Sequence, residues 1–163
     1  MNEYDSNRIY DIAKKISYKR TDNSKKADCY IINTCHIREK ATEKVYHEVG
    51  RIKKQNRNKK KPIVIITGCV AQAEGDIILK KEKFIDAVVG PQSYQNLNKV
   101  LLEIENNKRK LNTTEFKAEE KFDNLNLIKN SNKKVSAFLT IQEGCDKFCK
   151  FCVVPYTRGS EFS

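Results

Sequence analysis

The chain has 163 residues, enough for one domain and part of a second, which excludes a large multidomain enzyme. Lysine and arginine total 32 against 21 acidic residues, a net charge of +11 that favours a polyanionic partner such as nucleic acid. Lysine and asparagine tracts carry much of that charge, and the base composition of a gene can also produce them. No apolar stretch reaches the ~18 residues of a spanning helix, and the segment MNEYDSNRIYDIAKK is polar and amphipathic, unlike the continuous apolar run of a secretory signal. We therefore expect a soluble cytoplasmic protein that does not enter a membrane.

Helix and strand patterns alternate along the first 110 residues. Apolar residues repeat at helical spacing over 5–17, with Asp5 or Ser6 available as the N-cap. Short β-branched runs predict strands, and the segments after them have helical patterns. The strands are predicted over 29–34, 63–67 and 85–90, and the later helical segments over 36–55, 68–82 and 95–105. This alternation predicts an α/β fold with a doubly wound, mostly parallel sheet.

The periodic pattern ends near residue 106. The polar stretch that follows predicts a linker, and the run VSAFLTIQ over 135–142 predicts a new strand. A single strand followed by a cysteine loop cannot form its own core. We therefore expect a sheet domain over 1–110, a linker over 111–134 and the incomplete beginning of a second domain over 135–163.

Three of the six cysteines lie close together in the pattern C-x-x-x-C-x-x-C, formed by Cys145, Cys149 and Cys152. Disulfides do not persist in a reducing cytoplasm, so clustered thiols there are typical of metal or catalytic sites. Three thiolates on one loop can bind three irons of a [4Fe-4S] cluster and leave the fourth iron open. A structural zinc site needs a fourth ligand, and none is near in sequence. An incomplete zinc site or inert thiols are the alternatives.

Cys35 and Cys69 each follow a predicted strand. The carboxyl ends of parallel strands form the edge where ligands of α/β proteins bind, so these two thiols are candidate metal ligands. Cys29 begins the strand that ends before Cys35, and a rise of ~3.3 Å per residue puts the two sulfurs about 20 Å apart. We therefore expect Cys29 to be an ordinary buried thiol.

The other polar residues near Cys35 have simpler interpretations. We expect His36 to be a polar residue at a helix start and His47 to lie on the solvated face of the helix. Arg38 and Glu39 are candidates for groups that contact the ligands of a metal site.

The segment EGCDKFCKFCVVPYTRG resembles the signature of the radical S-adenosylmethionine superfamily. The resemblance implies that the three cysteines hold a [4Fe-4S] cluster whose open iron binds S-adenosylmethionine. It also implies that Phe151 occupies the position whose backbone lies near the adenine. The continuation VVPYTRGSEFS is similar to the tRNA methylthiotransferases, which usually have arginine at the position of Ser160, whereas Arg158, Gly159 and Glu161 match.

Two segments of the first half resemble the same family. NTCHIREKATEKV around Cys35 and TGCVAQAEGD around Cys69 match two cysteine motifs of its amino-terminal domain, whose three cysteines bind a second [4Fe-4S] cluster. GPQSYQNL is similar to the branch that modifies isopentenylated adenosine in tRNA. The Gly-Cys-Gln that usually precedes Met1-Asn2 is absent. The expectation is a chain truncated at both ends, without the first strand of its sheet, that forms one cluster.

The resemblance implies a reaction. A methylthio group is added to C2 of N(6)-isopentenyladenosine next to the anticodon by radical chemistry. The reaction needs S-adenosylmethionine, [4Fe-4S] clusters, tRNA and an electron donor, and the protein is expected to be a monomer. The chain is expected to contain only the first strand and the cluster loop of a radical barrel, so we expect the fragment alone to be inactive. Two alternatives stay open: an inactive remnant that binds an iron-sulfur cluster or zinc and RNA, and a sister branch acting on threonylcarbamoyladenosine or a ribosomal protein.

Overall fold

A computed structural model of the chain describes residues 2–35, 40–107, 110–114 and 140–163. The described strands form one four-stranded sheet and are β1 Cys29–Thr34, β2 Ile63–Gly68, β3 Ala87–Val89 and β4 Leu111–Thr113. The described α-helices are α1 Asn2–Lys14, α2 Lys40–Gln55, α3 Cys69–Lys81, α4 Leu97–Asn107 and α5 Val154–Arg158. Two 3₁₀ turns, Ser24–Lys26 and Pro91–Asn96, complete the elements.

The sheet is parallel, and its strands lie side by side in chain order. Successive residues of β2 point to opposite faces, as the pleat requires. Ile65 packs in a core with apolar residues of α1 and α4, whereas Val64 and Ile66 pack in a second core with α2 and α3. The prediction of an α/β fold with a parallel sheet is confirmed, and helices cover both faces.

Helix α1 lies earlier in the chain than the predicted segment 5–17. It begins at Asn2 and ends at Lys14, and Ser17 has a positive φ of 71°. The prediction that Asp5 or Ser6 caps this helix is wrong, because both lie inside it. Local sequence made Asp5 a plausible cap, but its carboxylate is buried and paired with Arg158.

The other predicted elements of the sheet domain agree with the structure within a few residues. Strand β1 has its predicted bounds, β2 is one residue longer, and β3 is shorter than the predicted run 85–90. The first four residues of the predicted second helix, 36–39, lie outside the described residues.

Strand β4 lies where the sequence predicts the linker to begin. It pairs with β3 in parallel register, and the Leu111 N–H donates to the carbonyl of Asp86 at 3.1 Å. Asn112 donates from its side chain to Asp76 of α3 at 2.7 Å. Three residues are too few to show a period in sequence, which is why this strand was not predicted. The rest of the predicted linker, 115–134, lies outside the described residues.

The described carboxyl-terminal part, residues 140–163, forms a loop and one short helix, α5. Most of the strand predicted over 135–142 lies outside the described residues, and its described end, 140–142, is not in a strand. Glu143 instead forms an isolated antiparallel bridge with Phe162. In the described part of the chain, no helix is both long and apolar enough to cross a membrane.

Candidate metal centre

Cys35 and Cys69 leave neighbouring strands at the same edge of the sheet. Thr34 is paired with Gly68 across β1 and β2, and each is the residue just before one of the two cysteines. Neighbouring strands lie about 4.8 Å apart, so the two cysteines follow adjacent strand ends. Cys35 is exposed and Cys69 is half-buried. The predicted placement of both thiols at the carboxyl edge is confirmed, whereas their role as metal ligands stays a prediction.

Gly68 makes the turn from β2 into α3. Its φ is +91°, and a Cβ built at this position would lie 2.2 Å from the Thr34 carbonyl oxygen. No residue with a side chain fits there without a shift of the backbone. Gly68 therefore allows Cys69 to begin α3 directly at the sheet edge, next to Cys35.

The loop that carries Cys145, Cys149 and Cys152 is closed at its base by backbone hydrogen bonds. Glu143 and Phe162 exchange two of them, at 2.9 and 2.8 Å. The Cys145 N–H donates to the carbonyl of Gly159 at 3.1 Å. These hydrogen bonds hold the two ends of the loop together, and α5 lies between Cys152 and Phe162.

A second glycine precedes a candidate ligand at this base. Gly144 has a φ of +78°, and a Cβ at this position would lie 2.0 Å from the carbonyl oxygen of Ser160. The two chain segments approach more closely here than any side chain allows. Cys145, like Cys69, is thus placed by a glycine with a positive φ immediately before it.

The three thiols of the loop have the chemistry that an iron-sulfur cluster requires. Cys149 is exposed, Cys145 and Cys152 are half-buried, and the Cys152 N–H donates to the Cys149 carbonyl at 2.9 Å. Soft thiolates on a short accessible loop suit iron. Among the described residues, however, no three His, Cys, Asp or Glu side chains form a group that could hold a metal ion. The donor set therefore fits a cluster, but the conformation shown does not gather the three sulfurs.

Cys29 lies at the opposite end of β1 from Cys35. It is half-buried and packs against the core formed by α1 and α4. Burial, with the charges of Asp86, Glu105 and Asp28, raises the pKa of this thiol to about 12. The sequence predicts an ordinary buried thiol, whereas Cys29 is half-buried; that degree of burial is enough to disfavour the thiolate.

The aromatic residues of the cysteine loop face solvent. Phe151 is 96% exposed, and Phe148 packs edge to face against Tyr156 with ring centroids 5.9 Å apart. Phe151 therefore contributes little to the core, and its side chain is available to a ligand. Its predicted place beside the adenine of S-adenosylmethionine stays a prediction.

The remaining polar candidates lie around α2. His47 is exposed on α2, as the sequence predicted. His36, Arg38 and Glu39 lie outside the described residues, so the predictions made for them stay predictions.

A groove of about 410 Å³ runs beside β1, between α1 and α2. Its lining includes four residues of β1, Cys29, Tyr30, Ile31 and Ile32, whereas the candidate ligands Cys35 and Cys69 are not in its described lining. The groove is therefore separate from the candidate metal centre.

A buried arginine next to the cysteine loop was not singled out by the sequence patterns. Arg158, the last residue of α5, donates from Nη2 to Asp5 Oδ2 at 2.5 Å, and Glu143 Oε1 lies 3.5 Å from its Nη1. Its only sequence signal was the match of its position to the methylthiotransferase motif. Nothing in the sequence indicated Asp5 as its partner.

Comparison with known proteins supports the motif analysis. The family model described as "Uncharacterized protein family UPF0004" matches residues 1–90. A Pelagibacter ubique protein named tRNA-2-methylthio-N(6)-dimethylallyladenosine synthase is 61% identical over 163 residues, which are 100% of this chain and 36% of that protein. Proteins of the same name from Rickettsia typhi and Rickettsia prowazekii are each 49% identical over 168 residues.

The chain spans little more than a third of the length of these curated relatives, 36% to 38%. The alignments nevertheless include all of its residues, and therefore both cysteine groups. Because the family model covers more than half of the chain, the chain belongs to Uncharacterized protein family UPF0004, and its resemblance to the tRNA methylthiotransferases is confirmed.

Proposed function

We propose that this chain is part of a tRNA-modifying enzyme that adds a methylthio group to C2 of N(6)-isopentenyladenosine next to the anticodon. The observation that carries the proposal is structural. The ion pair of Arg158 with Asp5 connects the loop that carries Cys145, Cys149 and Cys152 to α1. Helix α5, which follows this loop, packs against α3, and Cys69 is the first residue of α3. Two cysteine groups at one end of one fold suit a reaction that needs two metal centres. The names of the relatives support the choice of tRNA.

The residues have separate tasks in this proposal. Cys145, Cys149 and Cys152 would hold a [4Fe-4S] cluster with an open iron for S-adenosylmethionine, and Cys35 and Cys69 would contribute to a second cluster. When bound and reduced, the first cluster supplies the electron that begins radical cleavage of S-adenosylmethionine. The protein holds the loop closed and keeps Cys69 fixed at the sheet edge. The net charge of +11 favours approach of a polyanionic tRNA.

The proposal also includes the surroundings of the reaction. We infer a cytoplasmic monomer that receives electrons from a separate donor. The sheet domain would extend to Thr114, because β4 belongs to the sheet. Residues 115–134 would be the linker, and 135–163 the beginning of the radical domain.

The test is mass spectrometry of tRNA nucleosides from a strain that lacks its methylthiotransferase. A chimera in which this chain replaces the matching segment of the Pelagibacter ubique relative should restore the methylthio nucleoside. The chimera with Cys145→Ser should not restore it, whereas Cys29→Ser is the matched control and should. An inactive chimera beside an active intact relative would overturn the proposal.

The chain alone forms a further arm of the same experiment. Residues 140–163, the described part of the proposed radical domain, supply a loop and α5 but no barrel, and a radical needs a closed cavity. We therefore expect no methylthio nucleoside from the chain alone. Detection of the nucleoside in that arm would show that the cavity is not required and would exclude an inactive remnant.

A further inference from the structure

Arg158 is a buried cation that connects the two parts of the fold. It is 7% exposed, and its two carboxylate partners, Asp5 and Glu143, are 2% and 6% exposed. Asp5 belongs to the first turns of α1, whereas Glu143 lies at the base of the cysteine loop. One guanidinium therefore joins the first helix of the chain to the loop that carries three cysteines.

The backbone of Arg158 is held as well. Its carbonyl oxygen accepts from Gln92 Nε2 at 2.5 Å, and Gln92 belongs to the buried 3₁₀ turn that leads into α4. The carbonyl of the next residue, Gly159, accepts from the N–H of Cys145. The side chain and backbone of one residue thus fix the loop to α1 and to the turn before α4.

Arg158 keeps its charge although it is buried, and its helix packs next to the sheet edge. Burial alone would lower the pKa of Arg158, but the hydrogen bond to Asp5 and the charge of Asp5 outweigh burial and raise it. The guanidinium is therefore ionised at every physiological pH. Helix α5, which ends at Arg158, packs against α3, and α3 begins at Cys69 of the other cysteine group.

We propose that Arg158 is a positioning residue that holds the cysteine loop 145–152 against the carboxyl edge of the sheet, next to Cys69, through its ion pair with Asp5. Buried ion pairs often add little net stability compared with apolar residues, but they fix one arrangement, because every displaced arrangement leaves a buried charge unpaired. The contact of the loop with the sheet edge does not depend on the proposed function. Only the interpretation that this contact brings two metal centres together rests on the proposed function.

The first test is hydrogen exchange of the full chain without metal, read by mass spectrometry. Asp5→Asn keeps the shape of the side chain and removes its charge. We expect exchange in residues 143–163 to become about tenfold faster or more, with exchange in β2 and α3 unchanged. Arg51→Gln, which breaks the exposed pair with Glu48 on α2, is the matched control and should change neither segment.

The second test measures position. In a background with Cys29→Ser and Cys35→Ser, a short bismaleimide should cross-link Cys69 to a cysteine of the loop. Arg158→Gln should lower the yield of this product, and Arg158→Lys, which keeps the positive charge, should restore part of it. Unchanged exchange and cross-linking in Asp5→Asn and Arg158→Gln would overturn the proposal. A uniform rise of exchange in every segment would also overturn it, because the pair would then stabilise the whole fold. Both tests use protein without a cluster, so their failure is distinct from failure of the nucleoside assay.

Discussion

Thr34 and Gly68 are directly paired across β1 and β2, and the cysteines that follow them therefore leave the sheet side by side. The close approach depends on the missing side chain at Gly68, where a Cβ would lie 2.2 Å from the Thr34 carbonyl. The candidate metal edge is thus built by one residue pair, and any residue other than glycine at position 68 would force the backbone to shift.

Gly68→Ala should destabilise the protein. The new methyl group meets the Thr34 carbonyl, and the φ of +91° is unfavourable for alanine, so we expect a loss of about 1–3 kcal/mol in the free energy of unfolding. Gly50→Ala in α2 is the matched control, since a Cβ there meets nothing within 4 Å. That change should stabilise by about 0.5–1 kcal/mol. Urea denaturation measures the free energy of unfolding of both variants, and an equal change in Gly68→Ala and Gly50→Ala would contradict the role of Gly68.

Cys29 should make the stability depend on pH above about 9. The thiol ionises near 9.0 in the unfolded chain but near 12 in the fold, so the unfolded state binds fewer protons between these values. Its contribution to stability is complete below pH 9 and is lost as the pH rises toward 12. Urea denaturation should show that the free energy of unfolding falls between pH 8 and pH 10, and that this fall is smaller in Cys29→Ala. If the free energy of unfolding depends on pH equally in the two proteins, the fold does not raise the pKa of this thiol.

Phe151 should matter for ligand binding and not for stability. Because its side chain is 96% exposed, Phe151→Ala should change the free energy of unfolding by less than about 0.5 kcal/mol. Leu101→Ala removes a fully buried side chain of α4 and should cost about 2–5 kcal/mol. The resemblance places the backbone of Phe151 near the adenine; if the exposed ring adds to that contact, Phe151→Ala should weaken S-adenosylmethionine binding about three- to tenfold, as calorimetry of reconstituted protein would show.

The sheet edge could be predicted from sequence because its signals are local. A β-branched run followed directly by a cysteine, twice, places Cys35 and Cys69 at the ends of neighbouring parallel strands. The exact bounds of β1 followed from the same run. The glycine before Cys69 was part of a matched motif, although its close approach to Thr34 became visible only in three dimensions.

The docking of the cysteine loop could not be predicted, because its partners are distant in sequence. Asp5 and Arg158 are 153 positions apart, and an acidic residue near a helix start is more often a cap than an ion-pair partner. Strand β4 was missed for a different reason. Its three residues have no period of their own and form a strand only because β3 offers them an edge.

The iron content of reconstituted protein distinguishes the two cysteine groups. The loop supplies three thiolates, which suffice for a cubane cluster with one open iron, whereas Cys35 and Cys69 supply two at the described sheet edge. Two thiolates hold a cubane poorly, so anaerobic reconstitution should yield a brown protein with about four irons per chain and not eight. Cys145→Ala, Cys149→Ala or Cys152→Ala should abolish the colour.

Cys29→Ala is the matched control for these three variants, and it should leave the iron content unchanged because Cys29 lies at the far end of β1. Cys35→Ala and Cys69→Ala should also leave about four irons in place if the single cluster belongs to the loop. Eight irons in the unmodified chain would show that another ligand completes the site at the sheet edge. One zinc per chain without visible absorption would instead favour a structural metal site, since zinc carries no such colour and is held by the same thiolates.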